Sequence, residues 1–324
     1  MLAKKKEVIK RHKTRARQII KVITRKNNFV IAKRIRFGPR YFVAEGLYKK
    51  KRALFKFCLY PQSYDHLTNE KFSREILFLN FIQNSKYSDL KKATPHIYAS
   101  DIGTRAWYIR EYLDCQAQNI NNGNIRFIDK FFTIKNYNWF IKTISQLQKI
   151  KNHELPKNFK QLLFPPQTLE YLWRFIGPFH KDLDKFVKYP GATRKIHQQF
   201  KKNSPIYKSA PRILAHQEVY SPHILCSNKY IKLIDWENIG WALPTHDIVT
   251  MWMRAHKHPA WQNKLKKYFL KTYRNTKNIE KLWNITVLMQ STFNVISYHY
   301  YHEKTDFAPL AKYSAKLIRK VLVK

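Results

Sequence analysis

The stretch from Ala215 to Asp247 constrains the fold of this chain more than any other. It reads A-H-Q-E-V-Y-S-P-H-I-L-C-S-N-K-Y-I-K-L-I-D-W-E-N-I-G-W-A-L-P-T-H-D. Apolar residues on both sides of Asn228-Lys229 predict a β-hairpin over Ile224–Asp235. A short loop from His216 to His223 precedes it and carries one carboxylate, Glu218. The second strand ends on Asp235, with Trp236 and Glu237 behind it.

A loop carboxylate, a polar residue five positions later and an Asp closing the next strand form a recurring arrangement for phosphoryl transfer. The first carboxylate can orient or deprotonate a hydroxyl, and the other two groups can hold a metal on phosphates. The segment resembles the catalytic region of the aminoglycoside phosphotransferase and choline kinase family. That family carries a loop H-G-D-x-x-x-x-N, a strand ending I-D-W-E or similar, and then G-x-P-x-x-D. Here the positions read His216-Gln217-Glu218, His223, Ile234-Asp235-Trp236-Glu237, and Gly240 with Pro244 and Asp247. Order and spacing agree. The family's catalytic Asp is Glu218 here, and its metal-binding Asn is His223.

The resemblance covers about residues 28 to 300 and implies an α+β, protein-kinase-like two-lobed fold. A small antiparallel-sheet lobe with its hinge takes residues 28–113, and a larger helical lobe takes 114–324, with ATP between them. The residues themselves suggest strands at Phe29–Ala32, Arg40–Leu47 and Ala53–Tyr60, a three-strand meander punctuated by Gly38-Pro39 and Gly46. Lys56 lies between Phe55 and Phe57, so it projects to the opposite face from theirs. Phe72, Ile76, Leu79 and Phe81-Ile82 recur as a helix face, with Glu75 offset from it. Two more strands are expected around Ile97–Ala99 and Ala106–Tyr112, and the rest reads as mostly helical, with Pro156, Pro165-Pro166, Pro205 and Pro211 as separators.

By the resemblance, Lys56 is the lysine that contacts the α- and β-phosphates and Glu75 is its helix partner. Glu111, Tyr112 and Leu113 form the hinge that holds the adenine. Asp235 holds Mg2+, with His223 as the second metal position. Glu218 is the base or hydroxyl-orienting group, His216 braces the loop, and Asp247 anchors it. A hard cation wants carboxylate oxygen, whereas imidazole suits softer metals, so Mn2+ is a second candidate. Few glycines stand near the phosphate-covering position, only Gly38 and Gly46.

Composition adds partners and a compartment. Sixty-two Lys and Arg against 21 Asp and Glu give a net charge of +41. A field of that size attracts nucleic acid or an anionic membrane surface, although Lys-, Asn-, Ile-, Tyr- and Phe-rich composition also follows from A/T-rich coding. Residues 1–27 form a basic arm in which Glu7 alone opposes eleven Lys and Arg. It reads as a phosphate- or lipid-binding element, or as a helix packed on the small lobe. No apolar run reaches the ~20 residues that cross a bilayer. Cys58, Cys115 and Cys226 are scattered and odd in number, as reduced cytoplasmic thiols are. The pairs His256/His258 and His299/His302 have metal-like spacing without a second ligand pair nearby, and ordinary surface or packing roles are expected.

Three functions follow: an ATP-dependent phosphotransferase for a small hydroxylated substrate, a pseudokinase acting as a binding module, and a polyanion-binding protein. With so few acids, a polycationic antibiotic is not the expected substrate.

Overall fold

The computed structural model describes residues 2–114, 116–117, 129–166, 168–176, 179–227, 229–302 and 307–323. They form two compact units. The first comprises Met1–Cys115, Asn152–Leu163 and Ser227–Ile239, and the second comprises Gln116–Lys151, Phe164–Cys226 and Gly240–Lys324. The boundary at 226/227 falls inside the predicted hairpin. Its turn is closed by Ser227 N–H donating to the Tyr230 carbonyl at 2.9 Å.

The first unit opens with helix α1 (Leu2–Lys26), then strands β1 (Phe29–Phe37), β2 (Tyr41–Tyr48) and β3 (Lys51–Cys58). Helices α2 (His66–Gln83) and α3 (Ser88–Ala93) and strands β4 (Ile97–Asp101) and β5 (Trp107–Glu111) follow. The sheet is antiparallel in the order β1-β2-β3-β5-β4. Alternation along β3 sets its two faces. Ala53, Phe55 and Phe57 point to one face, where Ala16 and Ile20 of α1 join their apolar cluster. Lys56 points to the other, toward Phe72 of α2. The arm expected over residues 1–27 is therefore a helix docked on the sheet.

β1 runs five residues beyond the expected Phe29–Ala32. The extension is a wet edge strand carrying Lys33, Arg34 and Arg36, all exposed, with register shifts at 31/33 and 34/36. A strand with no buried face shows no apolar alternation, and basic residues with bulges protect such an edge. Gly46 lies within β2, where a Cβ would meet the Val30 carbonyl oxygen at 2.1 Å. Its role there is close strand approach.

α2 starts six residues before the expected Phe72, because Asp65 caps it by accepting from Thr68 N–H at 3.0 Å. The later segments pack around this helix. Phe159 sits 6.0 Å and Trp236 4.3 Å from Phe78, ring centre to ring centre.

The second unit is helical around a core that includes Leu172, Leu183, Val187, Phe200, Leu288 and Ile318. Among its helices are Ile134–Lys149, His180–Val187, Ala192–Ser209, His246–Arg254, Ile279–Ser297 and Ala308–Leu322. Pro205 does not separate elements as expected. It lies inside Ala192–Ser209, which continues one more turn to seat buried Tyr207. Packing outweighs the helix bond lost at proline. No helix among the described residues is long and apolar enough to cross a membrane.

Candidate active site

In the first unit, Lys56 is the centre of a buried charge cluster. Its Nζ donates to Glu75 Oε2 at 3.0 Å and to Glu237 Oε1 at 2.9 Å. The rings of Tyr41, Phe72 and Tyr108 surround the ammonium, with centroids 4.6, 4.7 and 5.9 Å from Nζ. Burial alone lowers such an ammonium's pKa. The charges of Glu237 and Glu75, with lesser help from Tyr108 and Asp235, outweigh it and hold Lys56 well above its ordinary value. Glu75 moves the same way for the opposite reason. Burial pushes its carboxyl up, Lys56 works against this, and Asp235 and Glu237 add to it.

Carboxylate oxygens of Glu75, Asp235 and Glu237 all lie within 4.8 Å of one another. With Lys56 as their ammonium, the group keeps an excess of negative charge that suits a hard cation. Asp235 is held in the left-handed region at φ 65°, a conformation an L-residue keeps only when its surroundings impose it. Those surroundings are buried Trp236, whose Nε1–H donates to the Leu233 carbonyl at 2.9 Å, and Arg74, whose guanidinium donates to the Glu237 carbonyl at 2.7 Å and to that of Leu162.

Glu111, Tyr112 and Leu113, the residues expected to form a hinge, lie at the end of β5 and just beyond. The Glu111 carboxylate accepts from His96 N–H at 2.9 Å and pairs with Lys232 Nζ at 2.9 Å. Arg52 lies over the Tyr112 ring at 3.9 Å. Leu113 is buried.

In the second unit, Asp247 organises the loop at 216–223. Its Oδ2 accepts from His216 N–H at 2.8 Å and its Oδ1 from Gln217 N–H at 3.0 Å. Burial raises the Asp247 carboxyl, but His246, then His216, more than offset that and hold it below the usual carboxylate range. His216 is fully buried, and its Nδ1 accepts from Glu218 N–H at 3.2 Å. The Glu218 carbonyl faces His223 Nδ1 at 2.8 Å. A carbonyl can only accept, so Nδ1 is the nitrogen that donates here, which leaves Nε2 as the one a metal would meet on a neutral ring. Gly240 lets the neighbouring chain approach, since a Cβ there would meet the Phe164 carbonyl oxygen at 2.3 Å.

Replacing Asp247 by Asn leaves one acceptor oxygen for two N–H groups, one buried and one partly buried. We expect a loss of roughly 2–3 kcal/mol in a urea titration, as for hydrogen bonds to a charged group, with faster amide exchange at His216 and Gln217. The wild-type contribution belongs to a carboxyl depressed on folding. It is present above the ordinary aspartate pKa and is lost as pH falls through the folded value. Unchanged stability and exchange would remove Asp247 from its anchoring role.

Two features escaped sequence reasoning. The Lys56–Glu237 pair joins residues 181 positions apart, and Glu237's place in the I-D-W-E run was its only signal. Gln217 stands at φ 68°, where glycine rests without cost. The family's H-G-D pattern carried that signal. Of the metal-spaced histidines, His256 stacks on Tyr313 at 5.4 Å and His258 on Phe132 at 4.2 Å. Both take packing roles. The side chain of His302 lies outside the described residues. Burial raises the Cys58 thiol to about 11, which keeps it protonated.

This architecture is the protein-kinase-like fold, with a small five-stranded antiparallel sheet and a larger helical part. A model of the phosphotransferase enzyme family matches residues 137–279, in keeping with the resemblance read from the Ala215–Asp247 stretch. Spectinomycin phosphotransferase, solved with ADP and spectinomycin, aligns at TM-score 0.55 and 13% identity, covering 94% of this chain and 97% of its own. An aminoglycoside 2′-phosphotransferase, solved with GDP, aligns at 0.56 and 11% identity over 93% and 96%. A macrolide 2′-phosphotransferase aligns at 0.56 and 14% identity over 93% and 96%. Comparison with curated protein sequences finds no match.

Proposed function

We propose that the chain is an ATP-dependent phosphotransferase acting on a small hydroxylated substrate. The observation that carries this reading is the buried Lys56–Glu75 pair beside Asp235, an ammonium and a carboxylate set of the kind that receives a nucleotide's phosphates and their cation. The similar folds solved with ADP and GDP support it. The donor chemistry fits both groups. Lys56 supplies the fixed positive charge for phosphate, and Asp235 supplies hard oxygen for Mg2+, with the His223 imidazole better matched to Mn2+. The hinge from Glu111 to Leu113 offers backbone and apolar surface to the adenine.

A bound divalent cation neutralises phosphate charge in such reactions. The chain's own work is positional. Lys56 orients the phosphates, Glu75 holds Lys56, and Glu218 accepts or orients the proton of the acceptor hydroxyl. His216 and Asp247 fix the backbone from which Glu218 projects.

The test is thermal unfolding at millimolar ATP with Mg2+, with Mn2+ and with neither. We expect a metal-dependent rise in Tm that Asp235→Asn removes. No shift in either metal would end this reading. A second reading, nucleotide binding without turnover, is favoured by Glu218 and His223 standing where the family carries Asp and Asn. It predicts the shift together with no phosphate release.

A further inference from the structure

Within the helical unit, a cavity of about 680 Å³ opens between the C-terminal ends of His180–Val187 and Ile279–Ser297 and the side of Ala308–Leu322. Its size suits a small organic ligand. Val295, Ala311 and Ala315 are among its apolar residues, and Lys185, Lys188, Lys312 and Arg319 contribute four cations. We propose that this cavity binds a small anion with an apolar body, such as an aromatic or acyl carboxylate, sulfonate or phosphate. The inference is independent of the nucleotide reading.

Helix ends explain part of the charge. Lys185 lies in the last turn of His180–Val187, Lys188 caps it, and Arg319 donates to the Val187 carbonyl at 2.6 Å. Cations at that end oppose its partial negative charge. They do not explain Lys312, which extends the positive rim from the facing helix Ala308–Leu322. Nor do they explain why the floor is left open. Ala311 and Ala315 fall one turn apart on one helix stripe, where larger apolar side chains would close the space.

The cavity also has a built aromatic wall. Ile279–Ser297 runs on into a π-turn, Tyr298–His302, which brings His299 flat against Phe186. Their centroids are 3.7 Å apart and their planes 6° apart. Such turns recur at functional sites.

No carboxylate lines the cavity among the described residues. The nearby Asp184 is engaged elsewhere, accepting from Gly191 N–H, Thr193 N–H and Thr193 Oγ1–H at 2.7 Å each. The cations of the lining therefore face the cavity without a carboxylate of the wall beside them. A cationic ligand would meet repulsion without a counter-charge, while an anion with an apolar body would satisfy rim and floor together.

The probe is 8-anilinonaphthalene-1-sulfonate, followed by fluorescence titration of the full chain, with cationic thioflavin T as the contrast. We expect the sulfonate to bind and the cationic dye to bind at least tenfold more weakly. Lys188→Glu with Lys312→Glu, both exposed positions, should weaken the sulfonate at least tenfold. Ala315→Trp should do the same by filling the floor, and its urea midpoint reports whether it folds. Rising salt should weaken the parent complex. Binding of the sulfonate within twofold of the parent in the charge-reversed double variant would overturn the proposal. Equal affinity for the two dyes in the parent would overturn it as well.

Discussion

Replacing Lys56 by methionine should cost about 3–5 kcal/mol of stability at neutral pH, the usual result of removing one partner from a buried ion pair. The lysine side chain is 13% exposed, and those of Glu75 and Glu237 are 4% and 14% exposed. Methionine fits the aromatic surroundings of Tyr41, Phe72 and Tyr108, so packing changes little. The loss is electrostatic, because Glu75, Asp235 and Glu237 would keep their proximity without their ammonium. The pH dependence follows. Lys56 works against the rise of the Glu75 carboxyl, so its removal sends that carboxyl higher still. A carboxyl raised on folding binds its proton more tightly in the folded state, so stability grows as pH falls toward the ordinary glutamate value. The gap between variant and wild type should therefore narrow in acid. It should narrow in strong base too, because the wild-type contribution of a raised Lys56 is lost as pH climbs through its folded value. Urea midpoints across pH measure both arms. A gap below 1 kcal/mol at pH 7, or one that widens in acid, would show that the cluster does not depend on Lys56.

The site's polar residues were legible because their spacing is local or their order is strong. Lys56 between two phenylalanines had only one face to occupy, and the structure puts it there, against Glu75. The loop at 216–223 and Asp247 were read together from one motif, and two hydrogen bonds join Asp247 to the start of that loop. What stayed hidden depends on tertiary contact. The docking of α1 turns on Ala16 and Ile20 meeting an apolar cluster that draws on residues from Phe29 to Ile109, and no short window of sequence contains both. The continuation of β1 through Lys33–Phe37 is set by pairing with β2 rather than by any apolar pattern. Pro205 was read as a break because its helix cost is local, whereas the burial of Tyr207 that overrides it is not.

If the chain is the phosphotransferase proposed above, the same loop geometry sets what Glu218 and His223 would do to its turnover. Glutamate is one methylene longer than the aspartate of the family pattern, and a retreat of the backbone could absorb that length. Here the retreat is blocked on both sides. Glu218 N–H donates to His216 Nδ1 at 3.2 Å, and the Glu218 carbonyl accepts from His223 Nδ1 at 2.8 Å. On the proposed function, the longer side chain would carry the carboxylate roughly an ångström past the reach of an aspartate, a displacement that can cost ~10²-fold in rate. His223 adds a second effect, because an imidazole offers nitrogen to a cation that prefers oxygen when the cation is Mg2+. Wild-type ATP hydrolysis should therefore be slow with Mg2+ and faster with Mn2+. Glu218→Asp combined with His223→Asn should restore the oxygen donor and the shorter acid. Asparagine keeps an N–H donor for the Glu218 carbonyl, so the loop need not move. We expect the double variant to hydrolyse ATP up to ~10²-fold faster than wild type with Mg2+, and its preference for Mn2+ to shrink. Phosphate release measured with each metal decides it. A folded double variant that is no faster with Mg2+, and whose metal preference matches that of wild type, would show that these two replacements do not limit the chemistry.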